Sequence, residues 1–170
     1  MSYSTSAHTV FDQMLGTLDH IVGKAASSDQ AGALFEGRLA EDMYPLPTQV
    51  RFTIQQVVNT LNRLADAGLP DPGEDCPDYA AARTIIATAR AQLAAYPADT
   101  WLAADAPVEF DLPNGMAFAM QAHEYVRDWS LPQFYFHLMA AYSILRKGGL
   151  EIGKADYVPY MMRHLKKPAG

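Results

Sequence analysis

Cysteine is nearly absent. Cys76 is the only one in 170 residues, so an intramolecular disulfide and a cysteine-based zinc knuckle are both excluded. It lies in the acidic run Pro72-Gly73-Glu74-Asp75-Cys76-Pro77, where neighbouring carboxylates disfavour a thiolate and with it a nucleophilic role. Basic residues are in deficit, 13 Lys and Arg against 19 Asp and Glu, for a net charge of −6. An acidic chain repels nucleic acid phosphates and anionic lipid, so neither is expected as a partner. The few clustered cations, Arg163, Lys166 and Lys167, read as a solvated tail. No apolar run approaches the ~20 residues of a membrane helix. Residues Met1 to Thr9 carry neither a basic n-region nor an apolar h-region. A cytoplasmic location is the expectation.

The remaining composition, 49% apolar and 19% charged, is that of one globular domain able to bury a core without staples. We expect a single domain over 1–170, with a C-terminal tail from about 158.

Four segments carry helical periodicity. Val10, Met14, Leu18, Ile21 and Ala25 recur every three or four residues behind Ser6, a candidate cap. Gln30 to Leu46 reads as a connection with a short turn near Leu34 and Phe35, since Pro45 and Pro47 oppose a regular helix. Val50, Ile54, Val57, Leu61 and Leu64 form the clearest stripe, with Gln55, Asn59, Asn62 and Arg63 opposite, before Gly68, Pro70 and Pro72 end it. Asp78 caps a third helix with Tyr79, Ala82, Ile86, Ala89 and Leu93 inward, and Pro97 stops it. The last long helix, Leu131 to about Lys147, places Phe134, Leu138, Ala141, Tyr142 and Leu145 inward. Phe136, Met139 and Ala140 make its other side apolar too. A helix apolar nearly all round is covered on both sides, here by a hairpin, the tail or a second subunit.

Between the third and last helices the period changes to two. Val108, Phe110 and Leu112, then Met116, Phe118 and Met120, alternate with other residues around Pro113-Asn114-Gly115. Asn-Gly between two alternating runs is the strongest short hairpin signal. A lone hairpin is marginal in water, so the ribbon must lie against the bundle. A short helix from Gln121 to Trp129 follows. The fold class is therefore mainly all-α, an antiparallel four-helix bundle with a small β-hairpin.

Few motifs carry chemistry. Gly148 to Ala155 nearly matches a phosphate-binding loop, but Ala155 replaces the magnesium-binding hydroxyl and the segment follows a helix, not a strand. It reads as a helix stop, with Arg146 and Lys147 at the negative end of the dipole. His123-Glu124 lacks the second histidine of a zinc-protease helix, Arg127 standing there; His123 is expected partly buried between hairpin and last helix. Gln133 and His137 stack on one side of the last helix, bordering the inward stripe, and both can point into a cleft. A histidine there is a metal ligand, a general base or an imidazole held by a hydrogen bond. His20 is a weak candidate partner for it; His8 and His164 are expected in water. Tyr44, Tyr135, Tyr142 and Trp129 read as core or as pocket lining, and Asp42 as a cap at a loop-to-helix junction.

Three ordered motifs resemble a known family. Leu39-x-x-Asp42-Met43-x-Pro45-Leu46-x-x-Gln49, Leu131-Pro132-Gln133-Phe134-Tyr135-Phe136-His137, and Ala141-Tyr142-x-x-Leu145-Arg146-x-x-Gly149 leading to Gly153-Lys154-x-Asp156-Tyr157 are similar to the signatures of the uncharacterised bacterial family DUF1993. The resemblance runs to about Val158. That family is grouped with the DinB/YfiT-like metalloenzymes. This implies a four-helix bundle, often a dimer, with a divalent metal held by three histidines, one on the second helix and two spaced four apart on the last. Some relatives transfer or isomerise substrates with a low-molecular-weight thiol.

The sequence departs from that pattern. The resemblance sets His137 on one metal position and Gln133 on the other, while the second helix, Thr48 to Leu64, has no histidine and offers Gln49 and Thr53 as its nearest polar side chains. One imidazole and neutral oxygens bind zinc or nickel poorly, so no cofactor is expected. The expectation is a homodimeric, non-catalytic binding or structural protein with an incomplete metal site, taking a partner or a small molecule in a remnant cleft around His137, Gln133, Gln49, Tyr44 and Tyr135. The alternative is a metal- or thiol-dependent transferase or hydrolase using His137.

Overall fold

The computed structural model describes residues 1–166; Lys167 of the basic tail lies outside them. Helices α1 (Tyr3–Ala26), α3 (Leu46–Ala65), α4 (Tyr79–Ala95) and α6 (Leu131–Lys147) form the bundle, with the short α2 (Ala31–Phe35) in the first connection. Helix α3 packs on α6 and α4, and α1 on α4 and α6, closing a ring of four. The stripes read from the sequence meet at its centre. Phe11, Met14, Leu18, Val57, Leu61, Ile86, Phe134 and Leu138 are all essentially inaccessible, and the Phe11 and Phe134 rings meet edge-on at 5.0 Å.

Helix starts differ from the expectation where backbone donors find nearer partners. Ser2, not Ser6, caps α1: its hydroxyl accepts from the Thr5 N–H at 3.0 Å, and Ser6 lies one turn inside. Helix α3 begins before Thr48, with Pro45 at the N-cap and Pro47 in the first turn. Proline is harmless there because first-turn N–H groups have no intrahelical acceptor to lose. Asp42 does not serve as a cap; it is exposed, and no side chain caps α3. Asp78 caps α4 as expected, accepting from the Ala81 N–H at 2.7 Å.

Strands β1 (Pro107–Asp111) and β2 (Ala117–Gln121) pair antiparallel with Phe110 opposite Phe118. Gly115 at the turn has φ +85°, open to a residue without Cβ. The ribbon lies against the bundle through aromatic contacts: Phe110 to Tyr125 at 5.6 Å and to Trp129 at 5.2 Å, with the Arg63 guanidinium of α3 over the Phe110 ring at 4.6 Å. His123 is partly buried, as expected, and faces the loop before β1, its Nδ1 at 2.8 Å from the Ala104 carbonyl oxygen.

The expected helix after the hairpin is one α-turn, α5 (Ala122–Glu124), passing into a π-helical stretch, Tyr125–Ser130, continuous with α6. Gly148 and Gly149 stop α6, with Gly149 at φ +94°. Lys147 donates to the Leu39 carbonyl at 2.7 Å; the phosphate-loop likeness is a helix end. Helix α7 (Lys154–Tyr157) and a 3-10 turn, Pro159–His164, follow. No described helix is long and apolar enough to cross a membrane.

Candidate functional site

The contact between α3 and α6 contains a polar seam. At ~100° per residue, Gln49, Thr53, Gln56 and Thr60 fall within ~60° on the α3 wheel, and Ser130, Gln133 and His137 within ~60° at the start of α6. The two rows face each other. Gln49 bonds to His137 at 2.9 Å, and eleven residues further along α3 Thr60 bonds to Ser130. These bonds fix the helices as antiparallel and place Gln56 and Gln133 between them.

Each end of the seam is determined by its partners. Gln49 Nε2 donates to the Tyr44 carbonyl at 3.2 Å. A carbonyl oxygen only accepts, so the amide nitrogen must point there and Oε1 toward His137. His137 Nδ1 therefore carries the proton, leaving an Nε2 lone pair. Burial, and then the Arg51 charge, push the His137 pKa down to about 4, so the ring is neutral at pH 7. Phe52 and Phe136 flank it, ring centres 5.0 and 5.2 Å away. At the other end the Thr60 hydroxyl donates to the Gln56 carbonyl at 2.7 Å, so Ser130 supplies the proton between the two hydroxyls.

The middle is less well satisfied. Gln56 is 9% exposed, and its Oε1 is buried with no hydrogen-bond partner among the described residues. A buried acceptor in that state costs ~1–3 kcal/mol. Gln133 is half-buried.

Of the five expected cleft residues, His137 and Gln49 touch and Gln133 shares their seam. Tyr44 joins through its backbone carbonyl, its ring 57% exposed beside Phe52 at 5.3 Å. Tyr135, two residues before His137, points away and stands by Phe134 at 5.8 Å. His20 does not approach His137: it bonds to Asp156 at 2.9 Å, as does Lys24 at 3.0 Å, fastening α7 to α1. His8 is not in water but half-buried, 2.9 Å from the Leu93 carbonyl and packed on Trp101. Gln56, Thr60 and Ser130 belong to the seam as well, although neither the apolar stripe of α3 nor the spacing of Gln133 and His137 marks them. Polar residues at 49, 53, 56 and 60 repeat with helical spacing, and that signal was available.

The donor set does not suit zinc or nickel. Both favour imidazole, thiolate or carboxylate, and no group of three or more His, Cys, Asp or Glu side chains converges among the described residues. The chain's thiol, Cys76, is buried, and burial followed by Asp75 raises its pKa. A surface depression of about 590 Å³ beside α1 and α4 is lined by Asp19, His20, Lys24 and Arg83. Its cations are already paired, Arg83 with Asp19 at 2.8 Å and Lys24 with Asp156.

Known families bear on this geometry. The sequence profile described as "Domain of unknown function (DUF1993)" matches residues 3–158. The chain belongs to the DUF1993 family. The crystal structure of a DinB family member protein from Shewanella denitrificans is similar to it, with 27% sequence identity and a TM-score of 0.75 over 96% of this chain and 92% of that one. No curated protein matches. This DUF1993 chain thus has a DinB-like helical fold, as the resemblance of its motifs implied.

Proposed function

We propose that this protein is a homodimeric, non-catalytic binding protein whose α3–α6 cleft takes a small uncharged molecule in place of a tightly held cation. The observation that carries the reading is the hydrogen bond from His137 Nδ1 to Gln49 Oε1. It joins the imidazole to a neutral amide, and the Arg51 charge close enough to lower the His137 pKa opposes any further positive charge. The dimer reading rests on α6. From Leu131 to Leu145 it has no Asp, Glu, Lys or Arg, and Phe136 and Met139 stay 59% and 44% exposed, uncovered by hairpin or tail among the described residues. On a chain of charge −6, an uncharged face is where two copies can meet without repulsion. A cytoplasmic location fits the buried, unpaired thiol of Cys76.

One observation favours a second reading, a transferase or hydrolase using His137. With Nδ1–H held by an acceptor, Nε2 has the lone pair of a metal ligand or base. Sedimentation equilibrium and zinc or nickel titration by calorimetry separate the two. A dimer that Phe136→Glu makes monomeric, with no stoichiometric metal uptake, supports binding. A monomer at all concentrations removes the dimer, and tight one-to-one metal uptake lost in His137→Ala establishes the second reading.

A further inference from the structure

We propose that the cavity between α3 and α4, beneath the Pro70-Asp71-Pro72 loop, is a second binding site, and that a primary amine carrying one aromatic ring is the ligand class it takes. The site stands apart from the α3–α6 cleft. At ~100° per residue, Ile54 and Val58 lie roughly 150° around α3 from the row of Gln49, Thr53, Gln56 and Thr60.

The cavity encloses about 170 Å³. Ile54 and Val58 of α3, each 3% exposed, and Ile85 of α4 form its aliphatic floor, with Pro70 and Pro72 on the loop side. A void of ~150 Å³ lined by aliphatic side chains accommodates one benzene ring, so the space selects a single ring over a larger body.

The loop is a fixed wall. Asn62 grips Leu69 from both sides: its Oδ1 accepts from the Leu69 N–H at 2.7 Å and its Nδ2 donates to the Leu69 carbonyl at 2.9 Å. The Tyr96 hydroxyl donates to the Ala67 carbonyl at 3.1 Å. Pro70 and Pro72 then restrict the backbone up to Gly73, where φ reaches +82°. A site that is ordered before binding loses little affinity to ordering.

Charge sets the rest of the ligand. Asp71 is the one charged side chain lining the cavity among the described residues. Its Oδ1 accepts from the Gly73 N–H at 2.8 Å, which leaves Oδ2 for a ligand. The surrounding segment holds Asp66, Asp71, Glu74, Asp75 and Asp78 and no Lys or Arg. Asp75 is paired with Arg51 at 2.7 Å and Asp78 caps α4; Asp71 does neither. An anion is repelled there, and a neutral arene leaves the carboxylate unused. An ammonium on a short arm meets Asp71 while its ring fills the aliphatic space.

The test uses the methyl-labelled full chain at pH 7, titrated with benzylamine, benzyl alcohol and benzoate. These share one ring and differ in the charge of the head group. The methyl signals of Ile54, Val58 and Ile85 are followed by NMR. Benzylamine is expected to shift all three saturably and to bind about two- to fivefold more tightly than the alcohol, as one exposed charge pair allows. Benzoate should bind most weakly. Asp71→Asn should bring benzylamine down to the alcohol. Thr88→Trp, an exposed position on the rim, should fill the space and abolish every shift. The absence of saturable shifts at these methyls overturns the proposal, and so does equal binding of the three probes. Both are read on the wild-type chain, so a variant that fails to fold does not rescue it. Either outcome leaves the α3–α6 reading as it stands, since His137 should not respond to any of the probes through this cavity.

Discussion

His137 and Gln49 lie 88 positions apart in sequence and 2.9 Å apart in space, Nδ1 to Oε1. The bond works in one direction only. Tyr44 takes the amide nitrogen of Gln49, Gln49 therefore takes the Nδ1 proton of His137, and the ring is fixed in one neutral tautomer. This chain replaces charge at the cleft with a relay of neutral dipoles.

The relay makes stability depend on pH in a defined direction. A free imidazole titrates near ~6.5, whereas His137 in the folded chain titrates at about 4. Between those values the unfolded chain binds the proton and the folded chain does not. The contribution is complete above ~6.5 and is lost as pH falls toward 4. Urea midpoints measured from pH 7 to 4 should fall more steeply for the wild type than for His137→Gln. Parallel curves would place the imidazole outside the buried relay.

Two phenylalanines on α6 separate core from surface. Phe134 is fully buried and Phe136 is 59% exposed. Phe134→Ala should cost ~3–5 kcal/mol. Phe136→Ala should stay within ~0.5 kcal/mol for the monomer. Chemical denaturation at low protein concentration checks both.

Much of this arrangement was legible from the sequence. The α1, α4 and α6 stripes and the Asn114-Gly115 turn reported themselves because burial on one face imposes a period. Helix boundaries were less legible. Ser2 and Ser6 are equivalent as caps until the backbone decides which N–H groups lack acceptors, and Pro45 and Pro47 look like breakers until they fall at the start of α3. The site was half legible. Gln133 and His137 share a face by spacing alone, but their opposite numbers lie on another helix, and single-sequence periodicity says nothing of which helix packs against which. Gln56 and Thr60 stand out only once α6 is known to pack on α3, because an apolar stripe does not mark polar residues that share its face. His20, a weak candidate partner for His137 by sequence, instead meets Asp156, 136 residues away, and carries α7 onto α1.

That clasp has its own expected behaviour. The Asp156 carboxyl is held well below the ordinary range, first by His20, then by the Gly153 N–H and Lys24. It is partly exposed, so Asp156→Ala should lower global stability by less than ~1 kcal/mol. Its effect should be local instead. Amide exchange in Lys154–Tyr157 should accelerate while the core of α1 is unchanged. Unaltered exchange in α7 would show that apolar contacts such as Tyr142 with Tyr157, 5.4 Å apart, hold it alone.

If the neutral amides at the seam keep it from holding zinc or nickel, imidazoles there should create a site. The double substitution Gln49→His, Gln133→His would set three imidazoles on α3 and α6, a donor set suited to zinc or nickel. It should bind either metal about a hundredfold or more tightly than the parent, since affinity rises steeply with imidazole count. Calorimetry reads the difference. Equal, tight binding in the parent would mean Gln49 and Gln133 were never the obstacle.

The most direct measurement is the nitrogen spectrum of the His137 imidazole at pH 7, recorded before and after adding one equivalent of zinc. A protonated Nδ1, a free Nε2 and no change on adding the metal is the expected result. A protonated Nε2, a charged ring, or an Nε2 resonance that moves stoichiometrically with zinc would contradict the neutral relay and the binding function built on it.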